Sequence, residues 1–268
     1  MTMRVIGHFA AILCACGTLA ASAQPAVDRA AKLLADARNA LGGEEKISAV
    51  KNFTTTGRTR RVQGDNLVPI EFEMAVELPD KYLRKDEIPA QESDPTTQGF
   101  NGDGLIQLPP LTPPEPRPGA LAPPHGQFEN MLKARVVTVK QDFARLMLGM
   151  FASSYSSYPL TFTYIGQAEA PQGRADVLEA TGPGNFKVRF FTAGDTHLPI
   201  MVSWVPPGTP PPPPKESRLY FSDYRDVDGI QLPFRLRRAL GADTTEETTF
   251  DRFRINTKID PRKFEVRK

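Results

Sequence analysis

Apolar and polar positions alternate strictly in the last third of the chain, after an Asp-Gly pair. The alternating apolar residues are Ile230, Leu232, Phe234 and Leu236. This period of two is typical of a strand with one buried face and one exposed face. Asp228-Gly229 supplies the positive φ that a tight hairpin turn needs. Residues 224–237 therefore predict two antiparallel strands joined by this turn.

The same period recurs in residues 70–78, 160–164, 186–190 and 198–204. Further strands are predicted over residues 52–62, which are rich in Thr and Arg, and over residues 81–88, 98–108 and 245–256. Helices do not alternate with these segments, so we expect antiparallel pairing rather than a doubly wound parallel sheet. The pattern predicts an α+β fold whose sheet has about 10–11 strands, with a helical segment after the first four.

Helical spacing marks two regions. The first apolar stripe consists of Val27, Ala30, Ala31, Leu34, Ala37 and Leu41, and Gly42-Gly43 ends it. The second region, residues 128–151, ends in a strong apolar face. A sheet of so many half-buried strands must curve around other elements that cover its apolar face. We expect the helices before Tyr155 to pack in the concave side of this sheet.

The first residues predict a secretory signal peptide. Arg4 precedes an apolar run over residues 5–19, and Ala21-Ser22-Ala23 offers a small-x-small cleavage site. We expect residues 1–23 to be the leader, with cleavage after Ala23. An alternative is acylation at Cys16, which would anchor the protein to the outer membrane. Both cysteines lie in the leader, so no disulfide is expected in the exported chain.

Composition narrows the class of partner. The formal net charge of +2 falls to +1 without Arg4, which argues against a nucleic-acid partner. We expect residues 24–268 to form a single domain, since large sheets often reach this size. Proline-rich insertions interrupt it near residues 109–124 and 206–214. These favour extended surface segments over strands or helices.

The sequence carries no recognisable catalytic motif. His8 lies in the leader, His125 in a proline-rich insertion, and His197 beside the predicted turn before Leu198-Pro199. No histidine pair has the spacing of metal ligands on a helix, and no phosphate-binding glycine loop precedes a helix. The serine-rich residues 152–158 lack the G-x-S-x-G elbow. We therefore expect no enzymatic activity, no metal and no cofactor.

The chain resembles the LolA/LolB-type family of periplasmic lipoprotein carriers, which includes the outer-membrane lipoprotein-sorting proteins. The resemblance rests on a helix after a leader and on three short motifs. These are LPDKYLR at residues 78–84, Asn101-Gly102, and DYRDVDGIQLPFR at residues 223–235. It implies an unclosed antiparallel half-barrel with helices in its concave face and an apolar cavity that receives acyl chains.

The resemblance also implies a location, a ligand and a set of site residues. The candidate ligand-binding residues are Phe72, Met74, Met147, Met150, Phe151, Phe162 and Trp204. The competing interpretation is that these residues are plain core. Arg84 corresponds to a basic residue that helps hold the helical lid, unless it is a lone surface arginine. We expect a monomeric periplasmic carrier for lipid or lipoprotein acyl chains.

Two other functions remain open at this point. The first is an envelope protein-interaction module that binds a partner through the same curved sheet and carries no lipid. The second is a hydrolase whose site the sequence does not reveal.

Overall fold

The computed structural model describes residues 24–89, 91–113, 126–170, 173–206 and 215–266. The predicted leader, with Cys16, and most of both proline-rich segments lie outside these ranges. The α-helices within them are α1 (Gln24–Ala40), α2 (Glu44–Ala49) and α3 (Gln127–Phe151). The strands of the first half are β1 (Asn52–Gln63), β2 (Asn66–Glu77), β3 (Lys81–Glu87), β4 (Thr96–Asn101) and β5 (Gly104–Leu108). Those of the second half are β6 (Thr161–Ala170), β7 (Gly173–Gly182), β8 (Phe186–Ala193), β9 (Pro199–Trp204), β10 (Ser217–Val227), β11 (Ile230–Leu240) and β12 (Asp243–Ile255).

These twelve strands form one antiparallel sheet. Their order is β5-β4-β3-β2-β1-β12-β11-β10-β9-β8-β7-β6, so β5 and β6 are its two edges and it does not close into a barrel. The chain starts in the middle at β1, runs out to one edge, and crosses over as α3. It then returns from the other edge to β12, where Ile255 pairs with Phe53 of β1. The predicted α+β fold with an unclosed antiparallel sheet is confirmed.

The contacts of α3 show how strongly the sheet curls. The ring of Phe143 lies 5.3 Å from that of Phe100 on β4, and the guanidinium of Arg145 lies 4.3 Å from the Trp204 ring on β9. These two helix residues are only ~3 Å apart along the helix axis. In a flat sheet, β4 and β9 would be roughly 34 Å apart. The sheet must therefore wrap around α3, which lies in its concave face.

The inner face of the sheet and the helices share one apolar core. Phe53 of β1 packs between Phe151 of α3 and Phe253 of β12, with ring centroids 5.8 and 6.2 Å away. Helix α1 packs along β6, and the carbonyl of Leu41 just after it accepts a hydrogen bond of 2.8 Å from the backbone of Gln231. The helices thus cover the inner side of the sheet from both edges.

Part of the outer face is covered by the end of the chain. A short 3-10 helix, Pro261–Phe264, places Phe264 against Ala75, Leu83 and Ile106, and this second apolar cluster is separate from the main core. Asn101 donates a hydrogen bond of 3.0 Å to the Phe264 carbonyl. The tail therefore seals the outer side of β2 to β5.

The structure has more strands than the 10–11 that the pattern predicts. Residues 98–108 were expected as one strand, but Gly102, at φ 56°, turns the chain between β4 and β5. Strand β7 has no alternation to detect, because four consecutive residues, 175–178, are buried on both faces. The second helical region, predicted over residues 128–151, is one continuous helix, α3.

Candidate ligand-binding site

The structure brings the seven candidate ligand-binding residues to one apolar core. They are Phe72 and Met74 on β2, Met147, Met150 and Phe151 on α3, Phe162 on β6 and Trp204 on β9. The first five are at most 4% exposed, whereas Phe162 and Trp204 are half-buried. Their common location fits both a lining and a plain core, so their binding role stays a prediction.

The concave face, which we call the hollow, is filled by the C-terminal half of α3 in this structure. Phe143 packs against Phe100 and also against Tyr82, whose ring centroid lies 5.5 Å away. The space beside the helix that Phe143, Met147 and Tyr155 help to line has a volume of about 0 Å³. An acyl chain could enter this part of the hollow only if α3 moved.

Gly149 lets α3 approach the sheet closely. A Cβ atom at this position would lie 2.0 Å from the ring of Phe221 on β10. The hydroxyl of Tyr224 on the same strand donates to the Gly149 carbonyl at 3.1 Å. A side chain larger than hydrogen at residue 149 would therefore push the helix and the strand apart.

Arg145 is a buried charge on the inner side of α3. Its Nη1 donates to Asp142 Oδ1 at 2.9 Å, one turn away on the same helix, and its guanidinium lies over the rings of Phe186 and Trp204. Burial lowers the pKa of Arg145, and Arg238 nearby acts in the same direction. Its buried Nε has no hydrogen-bond partner among the described residues. Insertion of α3 therefore carries an electrostatic cost.

The sequence pattern does not mark Arg145 as a buried residue. The residue sits inside the apolar run from Phe143 to Phe151, where a charged side chain is usually assigned to the solvent face. Its position directly before Leu146-Met147 is the feature of the sequence that could have indicated its burial.

Arg84 is not a lone surface residue. Its Nε donates to Asp86 Oδ1 at 2.6 Å and its Nη2 to Thr59 Oγ1 at 3.1 Å. The guanidinium also lies 4.5 Å from the centroid of the Phe72 ring. All three of these partners are strand residues. The contacts thus tie β3 to β1 and β2, and the implied role in holding a helix stays a prediction.

Three tyrosines belong to the apolar core that fills the hollow or pack against it. Burial raises the pKa of Tyr82 to about 12. Burial also raises the pKa of Tyr155 and of Tyr224 above the usual value for a phenol. A phenolate is poorly solvated in these surroundings, as expected for a space that excludes water.

The outer face of β9 to β11 is open. Phe221 points towards α3, so its neighbour Tyr220 points to the opposite side of the sheet. Tyr220 pairs with Met201 of β9 and Arg237 of β11, which therefore share the outer face. A groove of about 570 Å³ runs here, and we call it the outer groove. No pattern in the sequence marked it, because its residues come from six strands, β6 and β8 to β12.

The described ranges contain no group of three or more His, Cys, Asp or Glu side chains placed to hold a metal ion. His197 lies in the turn before β9, as predicted, with a φ of 57°. Its buried Nδ1 lacks a hydrogen-bond partner in the described part of the chain. A separate finding is that none of the described helices combines the length and apolar character needed to cross a membrane.

The fold is that of LolA-type proteins, in which an unclosed antiparallel sheet curls around helices. A LolA superfamily protein from Nitrosomonas europaea superposes with a TM-score of 0.55 at 12% identity, covering 88% of this chain and 97% of that one. An outer membrane lipoprotein-sorting protein domain from Vibrio parahaemolyticus gives 0.51 at 9% identity, covering 89% and 97%. A DUF1329 family protein from Desulfovibrio piger gives 0.50 at 10% identity, covering 91% and 97%.

These likenesses concern the fold alone, because the sequence identities are so low. No protein-family model matches the sequence, and no curated protein matches it either. Function must therefore be argued from the site itself.

Proposed function

We propose that this protein is an exported, monomeric carrier that binds acyl chains of a lipid or lipoprotein in the hollow. It performs no covalent chemistry and needs no cofactor. Residues 1–23 serve as the leader, residues 24–268 form one domain, and the carrier works in the periplasm. The LolA-type fold supports this proposal, because two of the structures that share it are named for lipoprotein sorting or the LolA superfamily.

The observation that carries the proposal is that one helix, α3, fills the apolar hollow. If α3 moved out, the sheet would present inward-facing side chains such as Phe53, Met74, Phe100 and Phe221. An acyl chain gains about 0.8 kcal/mol for each methylene that it removes from water. Aromatic rings and flexible methionine side chains suit such a guest. In the protein without bound lipid, α3 occupies the space in the hollow that acyl chains would otherwise occupy.

The polar contacts of α3 favour its release. Arg145 pairs with Asp142 of the same helix, so the pair leaves together and Arg145 regains water. Lys140, which is largely buried, pairs at 2.8 Å with Asp103, whose side chain is fully exposed and stays in water when the pair separates. Tyr224 and Arg38 add single hydrogen bonds to the Gly149 and Ala152 carbonyls. Apolar contact is therefore the main force that keeps α3 in place, and acyl chains supply the same kind of contact.

The test is native mass spectrometry of protein purified gently from a bacterial envelope, with its own leader intact in the gene. We expect a bound mass that lipid extraction removes and that fragments into acyl chains. The same spectrum gives the N-terminus, which we expect at Gln24, and the number of protein copies. An unchanged chain that carries no acyl lipid under these conditions would contradict the proposal.

A matched pair of variants locates the lipid. Met74 faces the hollow and is 1% exposed, whereas Leu67 lies on the same strand and is 62% exposed. We expect Met74→Gln to lower the lipid-to-protein ratio and Leu67→Gln to leave it unchanged. Far-ultraviolet circular dichroism checks that both variants fold.

A second candidate function is an envelope protein-interaction module without lipid cargo. The absence of free space beside Phe143 and Met147 favours this interaction module, because residues that form a permanent core leave no room for a lipid. It predicts that the envelope extract contains a stoichiometric protein partner and no acyl lipid. The same mass spectra separate the two functions, since a protein partner adds a polypeptide mass.

A further inference from the structure

The outer groove presents apolar side chains where an antiparallel sheet usually presents polar ones. Phe191, Ile200, Met201 and Tyr220 line it, and all four are half-buried. Its volume of about 570 Å³ lies within the range of small-molecule sites. The groove is thus a preformed, partly apolar site outside the hollow.

One arginine in the groove is already committed to a protein carboxylate. Arg218 pairs with Glu216, with its Nη2 2.6 Å from Glu216 Oε2. A second, Arg237, is held flat, with its guanidinium carbon 4.0 Å from the Tyr220 ring centroid. Its Nη1 also donates to Thr244 Oγ1 at 3.4 Å. These two side chains shape the site and leave the third arginine as the group free to bind an anion.

Arg235 is that third arginine. It is exposed, lines the groove, and forms no ion pair within 4 Å in the described residues, because Asp223, the carboxylate on which its charge acts, is bound by Arg225. The two nearest positions across the ladder are Ser222 on β10 and Thr249 on β12, neither of which is charged. Glu169 and Glu247 also line the groove, and Glu247 pairs across the ladder with Arg237 rather than with Arg235. A planar guanidinium matches a carboxylate, which it binds through two parallel hydrogen bonds.

We infer that the outer groove binds a single-chain amphiphile with a carboxylate head, such as a free fatty acid. The carboxylate pairs with Arg235 and accepts a hydrogen bond from the Ser222 hydroxyl. The chain lies on Phe191, Ile200 and Met201. This site is distinct from the hollow and does not depend on the proposed carrier function.

The test measures binding of decanoate and of its neutral analogue decanol to the delipidated protein by isothermal titration calorimetry. We expect decanoate to bind more tightly than decanol. Arg235→Gln should weaken decanoate binding about tenfold or more, because it removes a charge-assisted hydrogen bond, and should leave decanol binding unchanged. Met201→Asp should weaken the binding of both ligands.

Two control variants decide where and how decanoate binds. Arg252→Gln removes the same charge from an exposed residue of β12 that does not line the groove, so it should not change the affinity. Met74→Gln alters the hollow and should also leave the affinity unchanged. The inference is overturned if Arg235→Gln has no more effect than Arg252→Gln, or if decanoate does not bind. Loss of binding in Met74→Gln alone also overturns it, since that result places decanoate in the hollow and supports the carrier instead.

Discussion

Strands β10 and β11 present opposite chemistry on their two sides. On the inner side, Phe221 packs against Gly149 so closely that no Cβ atom would fit between them. One residue earlier, on the outer side, Tyr220 carries a stacked arginine and borders the open outer groove. The same two strands thus build a dry, filled hollow and a wet, charged groove. The difference teaches that apolar character alone does not locate a binding site, because the more apolar side is the one that is already occupied.

The largest difference between the two sides is expected from phenylalanine truncation. Phe151 is 1% exposed in the hollow, whereas Phe191 is half-buried in the groove. Phe151→Ala should lower the free energy of unfolding by about 3–5 kcal/mol, and Phe191→Ala by about 1 kcal/mol or less. Urea denaturation measures both. Equal losses would mean that the two sides do not differ in packing.

Alkaline pH should destabilise the hollow next most strongly. Burial raises the folded pKa of Tyr82 to about 12 from the usual 10.0 of a tyrosine, so the folded state holds this proton more tightly than the unfolded state does. The resulting stability is fully present below about pH 10 and is lost as the pH rises towards 12, by up to roughly 2–3 kcal/mol. Tyr82→Phe should flatten this part of the pH profile of unfolding. A profile that keeps the same slope in the variant would contradict a buried, neutral Tyr82.

A methyl group at Gly149 should act on the contact between α3 and the sheet. Gly149→Ala places a Cβ atom against the Phe221 ring, and overpacking of this kind costs about 1–3 kcal/mol. If acyl chains can displace α3 from the hollow, the variant should also bind more acyl lipid than the wild-type protein. The lipid-to-protein ratio measures this. Destabilisation without added lipid would favour the permanent core. Ala144→Gly, a change on the same helix, controls for altered helix propensity.

The smallest expected effect concerns the groove arginine. Arg235 is exposed and makes no ion pair with the described residues, so Arg235→Gln should change the free energy of unfolding by less than about 0.5 kcal/mol. Thermal unfolding followed by circular dichroism measures this. A larger decrease in the free energy of unfolding would show that Arg235 stabilises the fold and is not free to bind a ligand.

The sequence predicts the inner face far better than the outer one. Alternation in residues 230–236 marks which side chains point inward, since burial imposes a period of two on a strand. Helical spacing likewise places Met147, Met150 and Phe151 on one apolar helix face, which the sequence predicts to pack inside the sheet. It does not reveal whether the filled space can open, since a core and a lining require the same residue types.

The outer groove could not be predicted in the same way. Phe191, Met201 and Tyr220 lie on three different strands, and each stands directly beside an apolar residue of the inner face, so no alternating pattern marks it. Only the register of the sheet brings them together. The burial of Arg145 has a similar origin, since its partners Phe186 and Trp204 come from strands more than forty residues away in sequence.

Displacement of α3 by acyl chains is the central claim, and a single thiol tests it directly. Residues 24–268 contain no cysteine, so Met147→Cys places one reporter on the buried face of α3, where Met147 is 0% exposed. We expect the delipidated protein to react slowly with a water-soluble maleimide, and the lipid-loaded protein to react much faster. A Leu67→Cys control, at a residue of β2 that is 62% exposed and does not line the outer groove, should react at the same rate in both states. Equally slow labelling of residue 147 in lipid-loaded protein would contradict the account, because α3 would then remain in the hollow.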